Sequence, residues 1–221
     1  MPTPTPDSFR PDQPRAKGRP RKDPALSEVR ARLIRSGLEH MTERGYSAIG
    51  IDQILRHAGV PKGSFYHYFQ NKEAFGLALI DAYQVYFSEL LERALGDQSR
   101  APLDRLRLFI QRAIDGMARH GYRRGCLVGN LGQEMSTLPE SFRQALTDVF
   151  DDWQQRTAAC LSNAQGAGQL SRDADPAALA QFFWIGWEGA ILRAKLEQGP
   201  EPIRLFADLF FSMLQEGEPN R

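Results

Sequence analysis

The chain has 221 residues and a formal net charge of +1, with 25% charged and 42% apolar residues. That composition excludes a wholly disordered or collagen-like chain and leaves room for one or two domains with a real core. The charge balance hides a split: residues 1–72 hold 13 Lys+Arg against 7 Asp+Glu, and residues 73–221 hold 15 against 20, so a basic front precedes an acidic body and points to an anionic polymer as its partner.

Residues 1–24 contain seven prolines and pack Arg15, Lys17, Arg19, Arg21 and Lys22 close together, with little to bury. They are expected to form a disordered basic arm. Within it Lys17-Gly18-Arg19-Pro20-Arg21 resembles the AT-hook core, which implies that Arg19 and Arg21 enter a narrow minor groove. The alternative is a solvated tail that raises only non-specific affinity. From Leu26 the apolar residues Val29, Leu33, Leu38 and Met41 follow at short helical steps and predict a first helix stopped by Gly45. Ile51, Ile54, Leu55 and Ala58 predict a second helix of two turns closed by Gly59. A third, equally short, opens at Pro61, with Phe65 and Phe69 four apart on one face. Asn71 suits the cap of a long fourth helix that runs through Phe75, Leu79, Tyr83, Tyr86 and Leu90 to Gly96. Further helices are expected at 102–120, 126–135, 139–164, 176–197 (capped by Asp175) and 202–215. No run alternates with period two. The fold class is all-α with about nine helices.

The second and third helices, joined through Ala58-Gly59-Val60-Pro61, read as a helix-turn-helix. Helices this short do not hold their shape alone in water, so Leu33, Leu38, Ile51, Ile54, Leu55, Phe65 and Phe69 must form the core of a small bundle. Phe65, Tyr66, Tyr68 and Phe69 cannot all point inward from one short helix. The outward set is therefore Lys62, Gly63, Ser64, Tyr66, His67 and Tyr68, suited to phosphates and base edges. The run from Gly59 through Pro61-Lys62-Gly63-Ser64-Phe65-Tyr66-His67-Tyr68-Phe69-Gln70-Asn71-Lys72 to Glu73 resembles the signature of the TetR family of transcriptional repressors, and the resemblance extends from about Val29 to Phe75. It departs from the family pattern at Gly50 and Pro61. The resemblance implies that Tyr66, Tyr68 and Lys72 bind phosphates and that Lys62, Gly63, Ser64 and His67 face bases of a double-stranded operator. It also implies a homodimer built on the last two helices, hence a palindromic operator.

In the body, small residues along Gly186, Gly189, Ala190 and Ala194 and the broad apolar surface of Leu205, Phe206, Leu209, Phe210 and Met213 predict a twofold interface at Gly186, Ala190, Phe206, Phe210 and Met213. Gly129 and Gly132 each cost a helix up to about 1 kcal/mol against alanine, so both are expected where a helix or ligand comes close. Trp184, Trp187 and Glu188 share one helical face and are expected to wall a pocket holding a buried acid, with plain core packing as the alternative. Tyr83, Asn130 and Arg124 complete the expected ligand set. Cys126 follows Arg123 and Arg124, which favours the thiolate; a small buried hydrophobe is the other reading. Segments 123–135 and 184–195 resemble members of the same family that answer unsaturated or electrophilic molecules. That implies an inducer such as acrylate or its coenzyme A thioester.

Two cysteines and four scattered histidines offer no metal-ligand set, and neither a metal nor a cofactor is expected. The apolar run at 177–187 falls short of the roughly 20 residues of a membrane span, and the first residues lack the apolar stretch of a signal peptide. A cytoplasmic protein with reduced cysteines is expected. The organisation expected is a basic arm at 1–24, a DNA-binding domain at 25–72 and a ligand-binding and dimerisation domain at 73–221, with the fourth helix as the lever between them. The activity expected is that of a ligand-released repressor rather than an enzyme. Alternatives are a repressor that senses through Cys126 modification, an architectural DNA binder, and a thiol enzyme lacking an evident histidine base.

Overall fold

The structure, a computed structural model, describes residues 24–216, and Arg19 and Arg21 of the arm lie outside them. Among the described residues are nine α-helices and no strand: α1 (Pro24–Arg44), α2 (Ile51–Ala58), α3 (Lys62–Phe65), α4 (Lys72–Leu95), α5 (Pro102–Ala118), α6 (Leu127–Gln133), α7 (Glu140–Gly166), α8 (Pro176–Glu197) and α9 (Glu201–Glu216). None is long and apolar enough to cross a membrane.

Local chemistry sets most of the boundaries. The Asn71 side chain accepts the Ala74 N–H at 2.7 Å and opens α4. Asp175 accepts the N–H groups of Ala177 and Ala178 at 2.9 and 3.2 Å, with Pro176 in the first turn of α8. Gly59 closes α2 at φ +62°, a left-handed conformation that carries no Cβ penalty in glycine, and the Val60 N–H reaches back to the Leu55 carbonyl at 3.0 Å. The third helix is shorter than expected: α3 stops at Phe65, and Tyr66, His67 and Tyr68 lie in the turn that follows. There the His67 and Tyr68 N–H groups bond back three residues, to Ser64 and Phe65. The tightening brings Phe69 under α3, its ring 5.4 Å from Phe65 and 4.8 Å from Phe75.

Helices α1 to α3 enclose Leu33, Met41, Ile49, Ile54, Leu55, Phe65 and Phe69, and the first turns of α4 add Phe75 and Leu79 to the same core. Further along, α4 enters a second, aromatic core: Phe87 lies 4.2 Å from Trp153, which lies 4.8 Å from Trp184. Trp184 is thus a core residue rather than a pocket wall. Its indole N–H donates to the Thr157 hydroxyl at 3.0 Å, the partner that a buried tryptophan needs.

The apolar residues of α8 and α9 are partly spent within the chain. Phe206 packs onto the bare backbone of Gly186, where a Cβ would collide with its ring, and Ala190 and Phe210 are buried. Of the five residues expected at a twofold interface, Met213 is the one that stands exposed, with Phe206 half-buried. The most exposed apolar residues of this face are Phe182, Ile185, Leu196, Leu205 and Leu209; Ile185 is 70% exposed and Leu209 63%. A groove of about 440 Å³ runs along it past Gly186, Gly189, Ala190 and Phe206, rimmed by Arg193 and Glu197.

Candidate functional site

The α2–α3 surface separates as its sequence requires. Phe65 and Phe69 are buried; Lys62, Gly63, Tyr66 and His67 are exposed; Ser64 and Tyr68 are half-buried. Lys62 Nζ sits 3.0 Å from the Asp52 carboxylate, which raises the lysine pKa and keeps it charged. Lys72 differs from the free phosphate ligand expected of it. Its ammonium donates to the Tyr46 carbonyl at 2.8 Å and lies 4.2 Å from the Tyr46 ring centre. Half burial lowers its pKa, while burial and the nearby Glu73 push the Tyr46 phenol up to about 12. Lys72 therefore ties the start of α4 to the turn between α1 and α2.

A cavity of about 200 Å³ opens between α4, α5 and α8. Phe87, Trp187 and Ile191 form its apolar wall, Tyr83 and Cys126 its polar one, and Arg112, Arg119 and Arg124 its cationic side, with His120 beside them. Tyr83, Arg124, Cys126 and Trp187 of the expected ligand set thus meet here. Sequence reasoning missed Arg112, Arg119 and His120, although Arg112 on α5 and Arg119, which caps it, are seven apart and so lie on the same side. The His120 pKa is lowered by burial and then by the neighbouring Arg124 and Arg119 charges. Arg124 also approaches Glu39 at 3.6 Å. Tyr86, Leu90, Arg112 and Arg119 are shared with an adjoining surface groove that carries Arg93.

Glu188 and Asn130 lie on the far side of Cys126, around a small chamber with Lys195. Gly129 admits Glu188 because a Cβ there would collide with the carboxylate; Gly132 faces open space, contrary to expectation. Burial pushes the Glu188 carboxyl up to about 7. Of the two readings of Cys126, the buried thiol is the one its surroundings favour: burial, and then the neighbouring Glu188 charge, raise its pKa well above the ordinary value. Desolvation outweighs the two arginines that precede it in sequence.

Asn130 does not face the cavity. It donates to the Met41 and Thr42 carbonyls at 3.1 and 2.9 Å, satisfying the open end of α1, and the Gly125 N–H donates to Thr42 at 3.0 Å. One helical turn on, the Glu134 carboxylate accepts the N–H groups of Tyr46 and Ser47 at 2.9 and 2.7 Å. Glu134 was not foreseen, and no local signal marks it, because its partners lie 88 and 87 residues away. A single segment thus walls the cavity at Cys126 and grips the helix-turn-helix bundle.

Two family models match this architecture: that of bacterial regulatory proteins of the tetR family over residues 33–79, and the tetracyclin repressor-like C-terminal domain over 102–210. The transcriptional regulator AcuR of Cereibacter sphaeroides is 61% identical over 208 residues, which cover 94% of each chain. The chain belongs to the TetR family. The HTH-type transcriptional repressor NemR of Escherichia coli (strain K12) is 34% identical over 80% of this chain and 88% of its own. The crystal structure of a regulatory protein TetR from Rhodobacter sphaeroides superposes with a TM-score of 0.83 at 62% identity, covering 83% of this chain and 97% of that one. In this TetR-family regulator the N-terminal match brackets α2, α3 and Lys72, and the C-terminal match contains the α5 and α8 walls of the cavity, α6 and the outward face of α8 and α9.

Proposed function

We propose that this TetR-family protein is a repressor that grips a palindromic operator as a homodimer and releases it when a small unsaturated acid, acrylate or its coenzyme A thioester, occupies the cavity. Residues 25–72 read the DNA, Arg19 and Arg21 add minor-groove contacts, and residues 73–221 bind the inducer and the second subunit. One observation carries this reading: Cys126 walls the cavity, and eight residues later Glu134 holds the Tyr46–Ser47 turn of the reading head. An inducer that prefers another position of this segment moves the end of α1. The two heads must sit about 34 Å apart to meet successive major grooves, so a small shift lowers occupancy. The effect is limited to the difference in inducer affinity between the two states.

The arginines lining the cavity, Arg112, Arg119 and Arg124, support an anionic inducer; the adjoining groove mixes Arg93, Arg112 and Arg119 with Glu89 and Asp115, and Arg93 is paired to Glu89 at 2.9 Å. The exposed Ile185, Leu205 and Leu209 support a partner subunit. Footprinting of the purified protein on DNA upstream of its own gene, with competitor DNA present, tests the reading. One protected palindrome that is lost on adding acrylate or its coenzyme A thioester is expected. Uniform protection would indicate an architectural binder, protection insensitive to both compounds would remove the inducer assignment, and turnover of either compound would indicate an enzyme.

A second reading, release by covalent modification of Cys126, is favoured by the thiol standing in the cavity wall. Full inducer response in Cys126→Ser would eliminate it and leave reversible binding in place.

A further inference from the structure

We propose that Glu188 is the proton acceptor that lets the Cys126 thiol add across an electron-poor double bond held in the cavity. The proposal rests on the covalent reading of Cys126 and assigns the group that such chemistry requires. Cys126 separates two spaces: the ligand cavity on one side, and on the other a chamber of about 10 Å³ bounded by Gly129, Glu188 and Lys195. The Glu188 carboxylate lines that chamber in hydrogen-bonding contact with the Cys126 thiol, and its Oε1 is sealed from solvent with no hydrogen-bond partner. Packing alone does not call for a carboxylate here, since an apolar side chain would avoid the orphaned oxygen. The bare backbone of Gly129 is the clearance that admits it.

A protonated thiol is a poor nucleophile, and burial keeps Cys126 in that form. The groups facing Glu188 are Cys126 at the start of α6, Tyr83 from α4 and Lys195 from α8 itself; Asn130 and Gln133 are neutral. Lys195 donates toward the Thr42 carbonyl at 3.4 Å. The Tyr83 phenol ionises far above its ordinary range because of burial and of the Cys126 and Glu188 charges, so it remains a proton donor beside the developing sulfur anion.

In the addition, the S–H bond breaks and its proton passes to the Glu188 carboxylate. The sulfur lone pair forms a bond to the β-carbon, and the C=C π pair moves toward the carbonyl as an enolate. The α-carbon then takes the proton back from Glu188. Nothing is oxidised or reduced and no group leaves. The compounds that fit are α,β-unsaturated acids, amides and thioesters whose carbonyl end lies toward Arg112 and Arg119. Glu188 must be ionised to accept the proton, so the addition speeds up as pH rises through about 7, where the carboxyl loses its proton.

The test is the rate at which the full-length protein forms a Cys126 adduct with acrylate and with neutral acrylamide, read by peptide mass across pH. Operator release is followed on the same samples. The wild type is expected to show a step near pH 7. Glu188→Gln should react on the order of a hundredfold more slowly near neutral pH and lose the step. An unchanged rate and profile in Glu188→Gln overturns the assignment and leaves Cys126 sensing standing. Should that variant fail to fold, the wild-type profile decides, since a smooth rise without a step also overturns it. Absence of any wild-type adduct overturns both the assignment and the covalent reading. Adduct formation with the step, but without operator release, upholds the proton transfer and overturns the sensing reading.

Discussion

The Glu134 carboxylate accepts the Ser47 backbone N–H at 2.7 Å, joining α6 to the turn between α1 and α2 across 87 positions of sequence. The adjacent Tyr46 N–H is held by the same carboxylate, and the Tyr46 carbonyl takes the Lys72 ammonium. The turn is thus clamped from the ligand-binding body on one side and from the start of α4 on the other. Both α4, through Lys72, and α6, through Glu134, thus hold this turn.

Replacing Glu134 with alanine should loosen this clamp. Charge-assisted bonds to backbone N–H groups contribute about 1–3 kcal/mol, and a loss of that size is expected in urea unfolding. If the clamp carries the proposed inducer signal, the fall in operator affinity caused by inducer should shrink severalfold, measured by DNA anisotropy titration. Unchanged coupling in a folded variant would leave α4 as the sole lever.

Lys62 is engaged by Asp52 at 3.0 Å on the exposed surface of α2 and α3. Asp52→Asn removes a negative charge and frees the ammonium, so operator affinity should rise a few-fold at low salt. Lys62→Ala should lower affinity and reduce the slope of log affinity against log salt by about one. Titrations at several salt concentrations check both.

Leu205 and Leu209 stand exposed, whereas Phe210 is buried within the chain. Leu205→Glu combined with Leu209→Glu should therefore give folded monomers in sedimentation velocity that no longer hold the operator. Phe210→Ala should instead cost about 3–5 kcal/mol of stability through the cavity it leaves. A stable dimer from the double variant would relocate the interface.

Glu188 also makes stability depend on pH. Its carboxyl ionises near 4.5 in the unfolded chain and is pushed up to about 7 by burial in the folded one. Between those values the folded state binds the extra proton, so stability falls as pH rises across the interval and levels off above it. At about 1.4 kcal/mol per pH unit the loss is roughly 3 kcal/mol. Glu188→Gln should remove this fall, as read from denaturant unfolding at about pH 5 and about pH 8.

The helices were legible because their signals are local. The Asn71 and Asp175 caps, the left-handed turn at Gly59 and the spacing of Phe65 and Phe69 all act within four residues, and each stands where the pattern placed it. The separation of Lys62, Tyr66 and His67 from the aromatic core was legible for the same reason. The body was less legible because its contacts depend on which helix lies opposite. Trp184 donates to Thr157 within the core, Asn130 holds the end of α1, Phe210 is covered by its own chain, and burial pushes the Cys126 thiol up.

Periodicity and capping, which operate over a turn or two, specified an all-helical chain with a short two-helix reading element near its front. Packing decided what no local pattern carries: the cavity beside Cys126, the carboxylate of Glu188 sealed behind it, and the reach of Glu134 to Ser47. Desolvation and hydrogen-bond partners are properties of neighbours in space, and helix packing brings together groups that the chain keeps far apart.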